Sequence, residues 1–117
     1  MADLITGDSR PYTVNLSINS LPFEIPTDSN VYVSLISGDK KKVLIAPITV
    51  ESDATGADWA TSKIVFKFTR EQTAALTVAD KTKALLEIQV ELPDGTAIDD
   101  WTWWIPITIL KGTIVGG

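Results

Sequence analysis

Few residue types in this chain can do covalent chemistry. Its 117 residues contain no histidine and no cysteine, which removes the commonest general base, the commonest zinc ligands and the thiolate nucleophile. Carboxylates remain, together with serine or threonine paired with lysine. Asp99-Asp100 is the only adjacent acidic pair. Neighbours on a strand point to opposite faces, so the two cannot share the two-carboxylate geometry of a glycosidase unless the chain bends there. They read as a solvated strand start, with a small carboxylate-dependent hydrolase using Asp99 or Asp100 as the catalytic alternative. Asp53 and Asp58 share one polar stretch, but no Asp-x-Asp-x-Asp-Gly loop is present to gather calcium ligands. Gly7, Gly38, Gly56, Gly95 and Gly112 stand singly, so no phosphate-cradling loop is expected. The reading assigns no catalytic residue, no metal and no cofactor.

The one unusual constellation is Trp101-Thr102-Trp103-Trp104-Ile105-Pro106. Regular alternation puts Trp101, Trp103, Ile105, Ile107 and Ile109 on one face of a strand, and Trp104, Pro106 and Leu110 on the other with Thr102 and Thr108. The first face is the expected core. The second is the candidate interface, an exposed tryptophan, proline and leucine suited to protein contact or to stacking on a sugar ring. Trp59 is a second candidate platform for a sugar. Pro106 has no N–H to give a neighbouring strand, which places it on an edge strand or at a bulge where another chain can dock.

These residues need strands to position them. Tyr12, Val14, Leu16 and Ile18 alternate with polar residues in Pro11 to Ile18, a period-two pattern that predicts a strand with one apolar face. A loop from Asn19 to Asn30 follows, with Phe23 and Ile25 as plugs over the core. Val31 to Ser37 and Lys42 to Val50 form a hairpin about Gly38-Asp39-Lys40, where a glycine and a turn-forming acid allow reversal. Glu51 to Ser62 crosses between sheets as a polar loop. Lys63 to Phe68 is a half-buried strand with Ile64, Phe66 and Phe68 inward. Thr69 to Gln72 matches a capping box and starts a short helix that Thr77, Val78 and Asp80 bring to an end, with Leu76 as its core anchor. Leu86, Ile88, Val90 and Leu92 alternate with Leu85, Glu87, Gln89 and Glu91, then turn at Pro93-Asp94-Gly95 into the tryptophan strand. The expectation is an all-β, antiparallel Ig-like sandwich of six to seven strands with one short helix.

Composition agrees with a single β-sandwich domain spanning 1–117. An apolar content of 44% argues for a folded core, since disorder needs low hydrophobicity and high charge. Fifteen acidic against ten basic residues give a net charge of −5, which repels a phosphate backbone, so no nucleic-acid partner is expected. Lys40-Lys41-Lys42 reads as a solvated hairpin tip. No run approaches the roughly 18 apolar residues of a membrane helix, so no membrane partner is expected. The N-terminus has acids where a secretory signal is basic and apolar. Without cysteine the chain suits a reducing cytosol. It is read as soluble and unprocessed.

Phe66-Lys67-Phe68-Thr69-Arg70-Glu71-Gln72-Thr73-Ala74-Ala75-Leu76, Leu86-Glu87-Ile88-Gln89-Val90, Pro93-Asp94-Gly95-Thr96 and Lys111-Gly112-Thr113-Ile114-Val115 together resemble small β-sandwich modules of tailed-bacteriophage virions. Those modules include the N-terminal domain of baseplate upper proteins and related tail and head-fibre proteins. The resemblance covers about the second half of the chain and does not extend to the tryptophan cluster. It implies a non-enzymatic virion component, made in the host cytoplasm, that acts through protein contacts as a homo-oligomer or with another virion protein. A carbohydrate-binding module recognising a surface glycan is the alternative.

Overall fold

The computed structural model describes residues 3–7, 9–18, 20–76, 81–99 and 103–110. Asp100, Trp101, Thr102, the residues 77–80 expected to end the helix, and the Lys111–Val115 segment of the resemblance lie outside the described residues. Among the described residues ten strands run in chain order: β1 (Asp3–Ile5), β2 (Tyr12–Asn15), β3 (Ser17–Ile18), β4 (Leu21–Pro22), β5 (Asn30–Ser37), β6 (Val43–Val50), β7 (Lys63–Phe66), β8 (Lys81–Glu91), β9 (Ala97–Ile98) and β10 (Ile105–Leu110). The main sheet has the order β1-β10-β8-β5-β6, with β9 also paired to β8. β2 and β7 form a separate pair, and β3 and β4 form another.

Alternation builds the main sheet as the sequence predicts. Ala84, Leu86, Ile88 and Val90 of β8 are buried, and Val31, Val33 and Leu35 of β5 are buried beside them. The register sets Val31 against Val90, Val33 against Ile88 and Leu35 against Leu86, so the apolar side chains of both strands share one face. Leu4, Ile107 and Ile109 extend this face on the β10 side. Ile64 and Phe66 of β7 join the same core, with Tyr12 and Val14 of β2 packed against it. Tyr12 stacks on Phe66 at 5.7 Å and Phe66 meets Phe68 edge-on at 5.8 Å. Ile25 is buried and Phe23 packs on Trp103, so the loop before β5 plugs the core.

The chain is mostly β, as expected, but the main sheet is mixed. β1 runs parallel to β10, with Asp3 opposite Thr108 and Ile5 opposite Leu110. Three residues are too few to show an alternation, which is why the sequence pattern begins only at Pro11. The expected strand Pro11 to Ile18 breaks at Leu16, which is buried and whose N–H bonds to the Ser62 carbonyl. The expected strand through the tryptophans breaks as well. Ile98 lies opposite Val90 and Ile105 opposite Leu86, so the chain spends seven residues covering a stretch that β8 covers in four. The excess leaves the ladder as a bulge between Ile98 and Ile105, whose described residues are Asp99, Trp103 and Trp104.

Pro106 does not lie on a simple edge strand. β1 pairs with β10 at Thr108 to Leu110, and among the described residues the stretch around Pro106 has no second neighbour, where its missing N–H does no harm. The β5–β6 hairpin forms, but the residue with positive φ is Lys40, at 64°, and not Gly38. Gly38 is needed for close approach, since a Cβ there would sit 3.1 Å from the Lys83 carbonyl oxygen. Asp39 closes the turn by accepting from the Lys41 N–H at 3.0 Å and from the Ser37 hydroxyl.

The helix α1 (Arg70–Ala74) has the predicted capping box: the Thr69 hydroxyl accepts the Gln72 N–H at 3.1 Å and the Gln72 side chain accepts the Thr69 N–H at 2.8 Å. Leu76 packs half-buried on the core. The crossing loop contains a 3-10 turn at Trp59–Thr61 and ends at Ser62, which is strained twice over. Its φ is 67°, a conformation costing an L-residue roughly 1 kcal/mol, and its hydroxyl is buried without a hydrogen-bond partner among the described residues. Ser62→Gly therefore stabilises the fold by about 1 kcal/mol, measured as a higher urea midpoint with an unchanged slope.

Candidate functional site

The bulge between β9 and β10 separates the tryptophans. Trp103 turns inward, is 2% exposed, donates its indole N–H to the Ser17 carbonyl at 2.8 Å and packs on Phe23 with ring centroids 5.5 Å apart. Trp104, the next residue, is half-buried and donates its indole N–H to Asp99 Oδ1 at 2.7 Å. Lys40 reaches over from the β5–β6 hairpin and places its Nζ 4.4 Å from the Trp104 ring centroid, a cation–π contact. Trp104 is thus held by the Asp99 carboxylate of its own bulge and by an ammonium from the β5–β6 hairpin. Trp101 lies outside the described residues.

Asp99 has a second neighbour. The outward side chains of β8, set by its alternation, include Glu87 and Gln89, and β5 opposes them with Ser34 and Tyr32. Together with Pro47 of β6 and Asp99, these four residues line a concavity of about 250 Å³. Glu87 and Asp99 meet there closely enough to share a proton. That hydrogen bond, then partial burial and the Asp99 charge, push the Glu87 carboxyl from its ordinary 4.5 up to about 7. Two carboxylates so close cannot both ionise freely. The carboxylate pair of this face is therefore Glu87 with Asp99, whereas the sequence offered Asp99 with Asp100.

Farther along the same outer face lies an apolar strip. Pro106 pairs with Leu85, which in turn pairs with Ile36. Val43 sits opposite Ile36 at the sheet edge and is 64% exposed. Leu85, Pro106 and Thr108 line a groove of about 530 Å³ that Gly38, Asp39 and Lys83 border. Leu110 is half-buried at the end of β10, opposite Lys81.

The three candidate interface residues thus sit in different settings. Pro106 is exposed in the groove, Leu110 is half-covered beside β1, and Trp104 is tied to Asp99 and Lys40. Leu85 and Val43 belong to the same strip and were not among them. Leu85 carried a signal in sequence, being the one apolar residue in the outward series Lys83, Leu85, Glu87, Gln89, Glu91. Trp59 is buried in the core, so it is no platform for a sugar. Asp53 and Asp58 gather no site either: among the described residues no group of three or more acidic side chains could hold a metal ion. No helix among them is long and apolar enough to cross a membrane. No protein-family model matches the chain, and no curated protein matches it.

The Glu87 shift has a definite sign in stability. Between about pH 4.5 and 7 the folded chain keeps a proton that the unfolded chain has released, so this pair makes stability fall as pH rises through that window. Glu87→Gln removes the effect. The difference in melting temperature between the variant and the wild type should grow in favour of the variant from about pH 5 to about pH 8, measured by circular dichroism melts in matched buffers.

Proposed function

We propose that this chain is a non-enzymatic structural module of a phage virion, a tail, baseplate or head-fibre component. In this reading the fold is an Ig-like sandwich, with the β2–β7 pair as the smaller layer over the inner face of the main sheet. The module works in the virion by protein–protein contact through the outer face of that sheet. The observation that carries the reading is the apolar strip of Leu85, Pro106 and Val43 beside a groove, on a face with no second layer among the described residues. Trp104 and Leu110 flank the strip. The resemblance of the second half of the chain to virion β-sandwich modules supplies the setting.

The partner is a second copy of this chain. Asp39 and Lys83 both border the groove, so a two-fold contact in which the strips cover one another brings acids and bases of both copies together at its margin. An apolar strip bordered by both an acid and a base can pair with its own copy, which favours a homo-oligomer. A glutamate placed in the strip would be buried without a partner at several kcal/mol.

Light scattering after size exclusion should give a multiple of 12.7 kDa for the wild type. Leu85→Glu and Pro106→Glu should each give the monomer mass with an unchanged circular dichroism spectrum. A wild-type monomer at high concentration, or variants that stay assembled, would sink the reading.

A further inference from the structure

We propose that the open edge of β7 takes up an extended segment of another protein as a third strand of the β2–β7 layer. This edge lies apart from the strip on the outer face of the main sheet, and it does not depend on assembly through that strip. Among the described residues β2 and β7 pair only with each other, whereas a sheet gains independent stability from three strands or more. A third strand would complete the thinner layer.

The first residue of β7 sets the direction of its backbone groups. Lys63 donates its N–H to the Asp58 carbonyl at 2.8 Å and accepts the Asp58 N–H at 2.9 Å, both on the edge away from β2. Successive residues of a strand turn these groups to opposite edges, so Ile64 and Phe66 face β2 while Val65 faces the same side as Lys63. Beyond the Asp58 bridge no described strand continues along that side. Val65 is only 9% exposed, so its N–H and C=O open into a recess, where backbone groups need a partner. The recess is a groove of about 480 Å³ walled by Ile48 and Val50 of β6, Ala54 and Thr55 of the crossing loop, and Val65 and Phe66 of β7. Across it, β6 is blunted as an edge: Pro47 is exposed and has no N–H, and the β5–β6 register shifts between Ile48 and Ile45, a device against strand addition. Edge backbone is complemented by another extended backbone, and an apolar recess beside it by side chains at every second position. Glu51 and Lys67 border the groove with opposite signs, so recognition rests on backbone and apolar contact rather than on net charge. A second copy offers no matching strand, since its β7 edge is equally recessed, its β6 edge carries Pro47 and its β1 is three residues long. The occupant is therefore a loop or tail of a different protein, extended and with alternate apolar residues.

The test is a titration of the full chain, followed by amide chemical shifts and hydrogen exchange, with acetylated and amidated octapeptides in which threonine alternates with valine, isoleucine, leucine or phenylalanine. In the free chain the Val65 N–H should exchange faster than those of Ile64 and Phe66. At least one peptide should give saturable shifts at Thr49, Thr55, Val65 and Lys67 and slow Val65 exchange by about tenfold or more. N-methylation of the alternate amides that face β7 should weaken that peptide by about tenfold or more, and methylation of the other alternate set should not. Thr55→Trp fills the groove from an exposed position, so it should abolish binding with the melting temperature unchanged. Leu85→Glu should bind the peptide as the wild type does, which separates this edge from the assembly face. The proposal is overturned if Val65 is as protected in the free chain as Ile64 and Phe66, if no peptide gives saturable shifts at these residues, if neither methylated peptide is weakened, or if Thr55→Trp binds normally. Protection of Val65 that rises with the concentration of the chain alone would place a second copy at this edge and overturn it equally.

Discussion

Trp103 fixes the relation between the main sheet and the segments that cover it. Its indole N–H must find an acceptor once the ring is buried, and it finds the Ser17 carbonyl on the covering side of the core. Burial of a ring of this size contributes roughly 4–6 kcal/mol by area, far more than the one or two ladder hydrogen bonds that a regular strand would make in its place. The chain therefore leaves the edge of β8 after Ile98 and rejoins it at Ile105. Because Trp104 follows directly, it is delivered to the outer face, where Asp99 accepts its N–H.

That bulge divides the outer face. On one side of it, Glu87 and Asp99 are forced together beside Ser34, Tyr32 and Gln89. On the other, Leu85 and Pro106 keep an apolar strip open next to the β5–β6 hairpin. Lys40 joins the halves, since the hairpin that borders the strip also places its ammonium on Trp104. Asp39 serves the same hairpin from within: the Ser37 hydroxyl, then the Lys41 N–H, hold its carboxyl below the ordinary range. Asp94 plays the matching part at the β8–β9 turn, where Thr96 lowers it and Gly95 adopts a φ of 90°.

The opposite layer is thin, and helix α1 secures its end. Thr73 is fully buried and accepts the Gly7 N–H at 3.0 Å, so the helix anchors the turn that follows β1. A short helix is marginal alone; here the capping box and this long-range bond keep it in place. Among the described residues Trp59 and Ser29 have buried polar atoms without a partner, so the covering layer is the less fully satisfied part of the core.

Much of this was legible in the residues themselves. Alternation in β5, β7 and β8 named the buried side chains, because a pleated strand has only two faces and one must be apolar. Thr69 and Gln72 announced the helix start, since a capping box is completed within four residues. Parity alone places Trp103 on the core face. Three-dimensional packing decided the rest. It made β1 parallel to β10, split the tryptophan strand, buried Trp59, and set Glu87 against Asp99, none of which any local pattern encodes. The physical reason is range: alternation, turns and caps are satisfied by near neighbours, whereas the Ser17 carbonyl that takes up the Trp103 N–H, and the register that brings two carboxylates together, exist only after distant segments have packed.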